Sequence, residues 1–264
     1  MRILGPPRLT EKWDGFSRAK IYPMANEYTK SWQTTFLREE SPQGVRRELT
    51  AHQVQFLRYQ LPLPGFLRIL DVCCGLGRHA RPLATAGYQV VGIDRDSGLV
   101  AEAQSACPEA EFIALDMRDL DHLDREFDAA ICMWQSFGYF DEATNLSVLR
   151  AIAGRVRSGG RIVLDLYNRR YFKAVDSRRS GQHWTADRWD YSDSHVYADG
   201  RLQARIEWAS GEGDEFDWQL YSPDELQEMG KSLELTTLLT CADFKPQQVA
   251  GNRRRSFQIV FEKS

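Results

Sequence analysis

The chain has 264 residues, with 34 Lys and Arg against 37 Asp and Glu for a net charge of −3, and 42% apolar and 27% charged residues. That balance fits one large globular domain, or one with a modest insertion, and offers no basic face for neutralising nucleic-acid phosphates. No apolar run approaches the roughly 20 residues needed to span a bilayer, the first residues lack a signal-peptide core, and an odd count of five cysteines points to a reducing cytoplasm without a disulfide framework.

Residues 1–20 show no hydrophobic period and read as an irregular lead-in. Asn26 to Glu39 reads as an amphipathic helix, because Tyr28, Trp32, Phe36 and Leu37 recur at helical spacing. That stripe is either a core face or a cap over a ligand pocket, where aromatic faces suit a cation. Ser41 as N-cap and Pro42 in the first turn open a second helix. Its predicted face is Val45, Leu49, His52, Phe56 and Leu57, until Pro62 stops it; His52 there reads as structural.

The chain is organised around Ile69-Leu-Asp-Val-Cys-Cys-Gly-Leu-Gly-Arg-His-Ala80. A short buried strand (Ile69 to Val72) runs into a turn at Gly75 and Gly77, where backbone bends sharply and lets a ligand approach. The helix after it presents free N–H groups. Val90-Val-Gly-Ile-Asp94 is a second apolar run ending in a carboxylate. In a doubly wound sheet Asp94 faces the same crevice, at ribose distance from the turn. Gly75-Leu-Gly-Arg-His-Ala80 also satisfies the dinucleotide pattern G-x-G-x-x-G/A. Asp71, aimed at the turn, opposes a pyrophosphate there but attracts the ammonium of S-adenosylmethionine (SAM).

Further along, Gly87 reads as a C-cap, Tyr88 to Ile93 as the second strand, and Ser97 as the cap of a helix through Ala106. Glu111 to Met117 is the third predicted strand, ending in Asp116, an acid that could alternatively cap a helix. Phe127 to Trp134 is the fourth, running into the aromatic segment Gln135 to Phe140 at the carboxyl end of a central strand. A helix over Asn145–Arg157 and a turn at Ser158-Gly-Gly160 precede the fifth strand, Arg161–Asn168. Alternation puts Asp165 and Tyr167 on one face of it and Asn168 on the other. From Gln182 to Tyr221 the pattern is antiparallel β, three or so strands, with a hairpin at Asp199-Gly200 and a turn at Gly211 to Gly213. Four of the seven tryptophans fall here (Trp184, Trp189, Trp208, Trp218). They would bury a face against the main domain, roof an acceptor pocket or pair subunits. Ser222-Pro-Asp-Glu225 is a capping box for a helix to Met229. Leu233–Thr240 and Ser256–Phe261 form the last hairpin, and Arg253 to Arg255 reads as a solvated turn.

Asp71-Val-Cys73-Cys74-Gly75-Leu-Gly77 resembles the first motif, D/E-x-G-x-G-x-G, of the class I SAM-dependent methyltransferases, with Cys73 in place of the first glycine. The resemblance covers Leu67 to Asn168 and, more loosely, the last third, where Tyr221-Ser-Pro-Asp-Glu-Leu226 matches a Y-S/T-P-x-E-L element. The ending C-G-x-G-R-H is similar to a bacterial subgroup of small-molecule methyltransferases. The resemblance implies an α/β fold: a doubly wound, seven-stranded, mostly parallel Rossmann-like sheet with an N-terminal helical cap and a small antiparallel β insertion. It divides the chain into a lead-in and cap (1–62), a SAM-binding core (63–180), the β insertion (181–221), and a C-terminal helix and hairpin completing the core sheet (222–264).

For the site, the resemblance implies SAM contacts from Asp71, Cys73, Gly75, Gly77, Asp94 and Arg95. Asp116 and Met117 would lie beside adenine, and Met133 and Trp134 beside the methionyl arm. Tyr28, Trp32, Gln135, Phe137, Tyr139 and Tyr167 would meet the methyl acceptor. The expected activity is SAM-dependent methylation of a small molecule, leaning towards nitrogen, by in-line transfer that relies on positioning more than on acid–base chemistry. No catalytic residue is assigned; His183, His195, Tyr139 and Asp165 are candidate bases. No metal, nucleic-acid or membrane partner is expected, and the chain would be a cytoplasmic monomer or homodimer. The D/N-P-P-Y/F motifs of DNA-amino methylation are absent. Rival readings are O-methylation, an NAD(P)-dependent oxidoreductase, methylation of RNA or protein, and a SAM-binding partner protein without catalysis.

Overall fold

The computed structural model describes the backbone of residues 43–175, 179–186, 189–208 and 213–264, with side chains at 49–175, 197–203 and 216–264. The helix expected over Asn26–Glu39, with Tyr28 and Trp32, lies outside the described residues. The first half alternates: α1 (Gln43–Gln60), β1 (Arg68–Val72), α2 (Ala80–Thr85), β2 (Gln89–Asp94), α3 (Ser97–Ala106) and β3 (Glu111–Ala114). A 3-10 turn (Met117–His122), β4 (Phe127–Cys132), α4 (Glu142–Gly154), β5 (Val156–Tyr167) and α5 (Arg169–Ala174) follow. Then come β6 (Arg179–Ala186), β7 (Trp189–Ala198), β8 (Arg201–Trp208), β9 (Gly213–Gln219), α6 (Pro223–Lys231), β10 (Leu235–Cys241) and β11 (Ser256–Lys263). None of the described helices is long and apolar enough to cross a membrane.

The main sheet has seven strands in the order β10-β11-β5-β4-β1-β2-β3, parallel except where β11 pairs antiparallel with β5 and β10. Parallel strands covered on both faces read as unbroken apolar runs, and every residue of β4 is buried. Alternation along β1 sends Leu70 and Val72 into one apolar layer, with Leu149, Ile152 and Phe257. Ile69 goes into the other, with Leu57, Leu83 and Phe112. The strand order reverses between β1 and β4, so the crevice at their carboxyl ends is where such a sheet takes a ligand.

Boundaries moved where two signals competed. The inward residues of α1 are Gln53, Val54, Phe56 and Leu57, while Leu49 is exposed and His52 only half-buried; the predicted face is rotated towards a polar partner described below. Asp96, not Ser97, caps α3, accepting from the Gly98 and Leu99 amides at 2.8 and 3.1 Å. The third strand stops at Ala114, and α4 starts at Glu142 under an Asp141 cap. Ser158-Gly-Gly160 forms a bulge inside β5 rather than a turn before it: the register with β4 jumps from Phe127 opposite Val156 to Ala129 opposite Arg161 across it, with Gly159 at φ 69°. Gly160 sits so close to β4 that a Cβ would fall 2.7 Å from the Asp128 carbonyl oxygen.

The second sheet, β6-β7-β8-β9, has four antiparallel strands. Its Asp199-Gly200 hairpin has φ of 50° and 81°, the left-handed pair that a two-residue turn demands. The turn expected at Gly211 to Gly213 falls largely outside the described residues. Leu202, Phe216 and Trp218 pack with Phe172 and Leu220, so for Trp218 burial against the main domain holds; the side chains of Trp184, Trp189 and Trp208 are not described. The chain leaves the core at Asn168 and returns at Tyr221, which form a β-bridge. The Arg169 amide donates to the Tyr221 carbonyl at 3.0 Å.

Asp128 at the start of β4 ties three segments together. Its carboxylate accepts from the Leu67 and Arg68 amides at 3.0 and 2.7 Å and from the Arg157 guanidinium at 2.9 Å. Burial pushes this carboxyl up, but those bonds and the Arg68 charge outweigh it and hold it below the usual carboxylate range. A depressed carboxyl contributes stability above its unfolded pKa that is lost as pH falls through the folded value. Asp128→Ala is expected to cost about 1–2 kcal/mol near neutrality, with the gap to wild type closing below about pH 4. Urea unfolding across that range measures both.

Candidate active site

Three left-handed residues shape the turn after β1: Cys73 (φ 59°), Gly75 (53°) and Gly77 (72°). Cys73 therefore adopts the backbone that a glycine would take more cheaply, and its Sγ lies 3.7 Å from Met117 Sδ. At Gly77 the constraint is also steric, since a Cβ would fall 2.9 Å from the Phe112 ring. Asp94 closes the turn from below. One carboxylate oxygen accepts from the Gly75 amide and the other from the Asp96 amide, both at 3.0 Å. Burial pushes its carboxyl up, partly offset by those two bonds.

Asp71 is 1% exposed, and its Oδ2 has no hydrogen-bond partner. Burial raises its carboxyl to about 7, the Arg78 charge working against that and the Asp94 charge with it. Arg78 donates to Thr50 Oγ1 (2.9 Å) and Gln53 Oε1 (2.8 Å) from α1. Its guanidinium also lies 4.7 Å over the Trp134 ring. His79 is buried, and burial with the Arg78 charge holds it well below the usual imidazole range. Neutral His79 shares Gln53 Oε1 at 2.9 Å; an amide oxygen only accepts, so the His79 Nε2–H donates. This polar bracket turns Gln53 inward and rotates α1 from its predicted face.

The segment after β4 runs left-handed through Trp134 (φ 55°) and Gln135 (59°), then Gly138 (110°). Its anchor is Asp165 on β5, 2% exposed. Asp165 Oδ2 accepts from the Trp134 amide (3.1 Å) and Gln135 Nε2 (3.3 Å), and Oδ1 accepts from Gln258 Nε2 (2.8 Å). Further along, the Gly138 carbonyl accepts from the Gln219 amide of β9 at 2.7 Å. Tyr139 and Tyr167 flank Trp218, with ring centroids 6.0 and 5.6 Å away.

The structure thus gathers Asp71, Cys73, Gly75, Gly77, Asp94 and Met117 at one turn, with Trp134 and Gln135 across the crevice. Tyr139 and Tyr167 line an aromatic wall beside β9. Two expected residues face elsewhere. Phe137 is 2% exposed in the core, its ring 5.9 Å from Tyr221, and the left-handed turn at Gly138 (φ 110°) separates it from Tyr139 at the wall. Met133 is 3% exposed in the apolar layer under α1. Arg95 is exposed and acts on Asp94 and Asp116 through its charge. Asp116 takes the capping alternative, accepting from the Arg118 amide at 2.9 Å and pairing with its guanidinium at 2.8 Å. Burial raises the Asp116 carboxyl, but Arg118 brings it below the usual range. Sequence reasoning missed Arg78, Gln53 and Gln258; only the Arg78-His79 pair after the glycines carried a local signal. The His183 and His195 side chains lie outside those described.

Residues 69–160 match the methyltransferase domain family. Over 103 residues the chain is 34% identical to the dTDP-3-amino-3,6-dideoxy-α-D-glucopyranose N,N-dimethyltransferase of Streptomyces fradiae, covering 39% of this chain and 40% of that protein. It is 28% identical over 144 residues to glycine N-methyltransferase of Homo sapiens, covering 47% and 49%. The chain thus spans about half the length, or less, of these curated relatives. An amino pentose methyltransferase from Micromonospora echinaspora, solved with SAM bound, shares the fold at TM-score 0.65 and 18% identity, over 90% of this chain and 99% of that one. Residues 69–160 thus match the methyltransferase domain family, and the sheet order and glycine turn lie on the fold shared with the SAM-bound neighbour.

Proposed function

We propose that the chain transfers the methyl group of SAM to an amine nitrogen of a small molecule, with amino sugars as the acceptor class. One observation carries the cofactor assignment: the buried, unpartnered Oδ2 of Asp71 at the foot of the glycine turn. The amino-acid end of SAM is an ammonium beside a carboxylate. Asp71 suits the first and Arg78 the second. Asp94 at the turn suits the ribose hydroxyls, and Met117 suits the adenine ring. A dinucleotide pyrophosphate would instead meet the Asp71 carboxylate at close range.

The cofactor supplies an electrophilic methyl on a sulfonium, already an excellent leaving group. What remains for the protein is orientation and the exclusion of water, which are worth on the order of 7–11 kcal/mol in favourable cases. Trp134 and Gln135 border one side, and Tyr139, Tyr167 and Trp218 the acceptor side. Aromatic faces attract cations. That suits an amine that arrives charged, although over Tyr167 a cation is already in place, Arg255 at 5.3 Å. Such an amine must lose its proton before nitrogen can attack. Asp165 is no candidate for that base, because both of its oxygens are occupied. The amino-sugar and glycine methyltransferases among the relatives support nitrogen as the target atom.

Calorimetric titration with S-adenosylhomocysteine and with NADH tests the cofactor half. Micromolar binding of the first and none of the second is expected; NADH binding alone would sink the reading. Radiolabelled methyl transfer to a 3-amino sugar and to its 3-hydroxy counterpart tests the acceptor, and ether formation would reassign the chemistry to oxygen.

A further inference from the structure

We infer that Asp165 is the positioning residue that holds the segment after β4 in its left-handed course, and that Gln258 extends its grip to the connection between β10 and β11. Two successive non-glycine residues with positive φ are costly and persist only where surrounding contacts over-determine them. Here the contacts converge on one side chain. Three donors reach the Asp165 carboxylate: the Trp134 amide, Gln135 Nε2 and Gln258 Nε2. The Gln135 amide donates to the Asp165 carbonyl at 2.9 Å. Gln258 cannot turn its amide over, because its Oε1 accepts from the Phe244 amide at 2.8 Å. An acceptor-only carboxylate satisfies all three donors, whereas an asparagine in its place would set an NH2 against one of them.

The charged and titratable neighbours of this site are Arg78, across the crevice, and the Cys241 thiol of β10. Arg78 stacks on the Trp134 ring, so the same tryptophan is held by its backbone from β5 and by its ring from the turn after β1. The consequence for cofactor affinity rests on the SAM reading above; the consequence for the loop does not.

The test compares wild type, Asp165→Asn, Gln258→Met and the double variant Asp165→Asn/Gln258→Glu. The double variant moves the negative charge one residue along the network while keeping a donor facing an acceptor at each link. Hydrogen exchange is read at residues 133–140, and affinity for S-adenosylhomocysteine by calorimetry. Asp165→Asn is expected to speed exchange in this loop and weaken binding, each about tenfold, with β1 and β4 unchanged. The double variant should recover to within about threefold of wild type, a rescue that loss of mere packing would not allow. Gln258→Met should lie between the two. Wild-type loop exchange in Asp165→Asn would overturn the inference, as would loosening of β1, β4 and loop together without rescue. If Asp165→Asn does not fold, unchanged loop exchange in Gln258→Met overturns it. Should wild type bind no S-adenosylhomocysteine while loop exchange follows the expected order, the cofactor reading falls and the role of Asp165 stands.

Discussion

Asp71→Asn is expected to weaken S-adenosylhomocysteine binding by about a hundredfold or more, the scale of removing one partner from a buried, hydrogen-bonded charge pair. The same substitution is expected to flatten the pH dependence of stability. Asp71 is buried and its folded-state carboxyl is raised to about 7. For a raised carboxyl the folded state holds a proton that the unfolded chain has already released, so stability falls as pH rises towards the folded pKa. Between pH 5.5 and 8 that loss amounts to roughly 2 kcal/mol in wild type on this residue's account, and to nothing in the asparagine variant. S-adenosylhomocysteine at about a hundred times its wild-type Kd should return roughly 2.7 kcal/mol to wild type and only about 0.4 kcal/mol to a variant that binds it a hundredfold more weakly. Thermal melts at the two pH values, with and without ligand, read all four quantities. Equal pH slopes in the two proteins would show that Asp71 ionises as freely as a surface acid and would remove the cofactor socket.

Gly138→Ala is expected to destabilise the protein by about 3 kcal/mol, through backbone strain and overpacking together. Gly138 has φ of +110°, and a Cβ there would lie 2.6 Å from the Gln219 carbonyl oxygen. The neighbour cannot yield, because it is backbone: the Gln219 amide is bonded to the Gly138 carbonyl at 2.7 Å. Relief therefore has to come from shifting β9 away from the loop, which pulls Trp218 from Tyr139. The expected signature is a lower unfolding midpoint together with a changed near-ultraviolet dichroism, since Trp218 stacks on Phe216 (ring centroids 4.9 Å apart). A variant within about 0.5 kcal/mol of wild type, with an unchanged aromatic spectrum, would show that the two sheets are not tied at this point.

Much of the architecture could be read from local pattern. The apolar runs at Ile69, Val90 and Phe127 gave the central strands, and the glycine turn with Asp94 gave the order β1-β2. Asp199-Gly200 gave the hairpin. The misread boundaries share one cause, two adjacent residues able to do the same job. Asp96 and Ser97 both cap helices well, and only the backbone of Asp96, extended at φ −82° and ψ 104°, decides between them. Asp116 after an apolar run reads first as a ligand-facing acid, yet its carboxylate caps the 3-10 turn and pairs with Arg118. Gly159 and Gly160 look like a turn in sequence, and the structure makes of them a bulge within β5, Gly159 at φ 69° and Gly160 too close to the Asp128 carbonyl for a Cβ. The anchoring network was beyond local reading altogether. Asp165, Gln258 and Trp134 belong to three different segments, and their hydrogen bonds become visible only once β11 lies beside β5. Gln53 was hidden for the same reason, since a glutamine inside a helix carries no hint that it will bracket Arg78 and His79.

The Asn168–Tyr221 bridge has a consequence for how such a chain can diversify. Asn168 is wholly buried and pinned, donating to the Gly251 and Arg254 carbonyls at 2.9 and 3.1 Å, while Tyr221 receives a bond from the Asn145 amide group at 3.1 Å. The strands between these two points leave and rejoin through a fixed gate. The entropy of closing a loop grows only slowly with its length, so the core is nearly indifferent to how long the excursion is. The intervening segment can therefore behave as an exchangeable cassette. A graft from a relative that keeps the gate, the Gln219–Gly138 bond and the Arg201 bond to the Phe140 carbonyl (3.1 Å) would change the acceptor wall and leave the glycine turn as inherited.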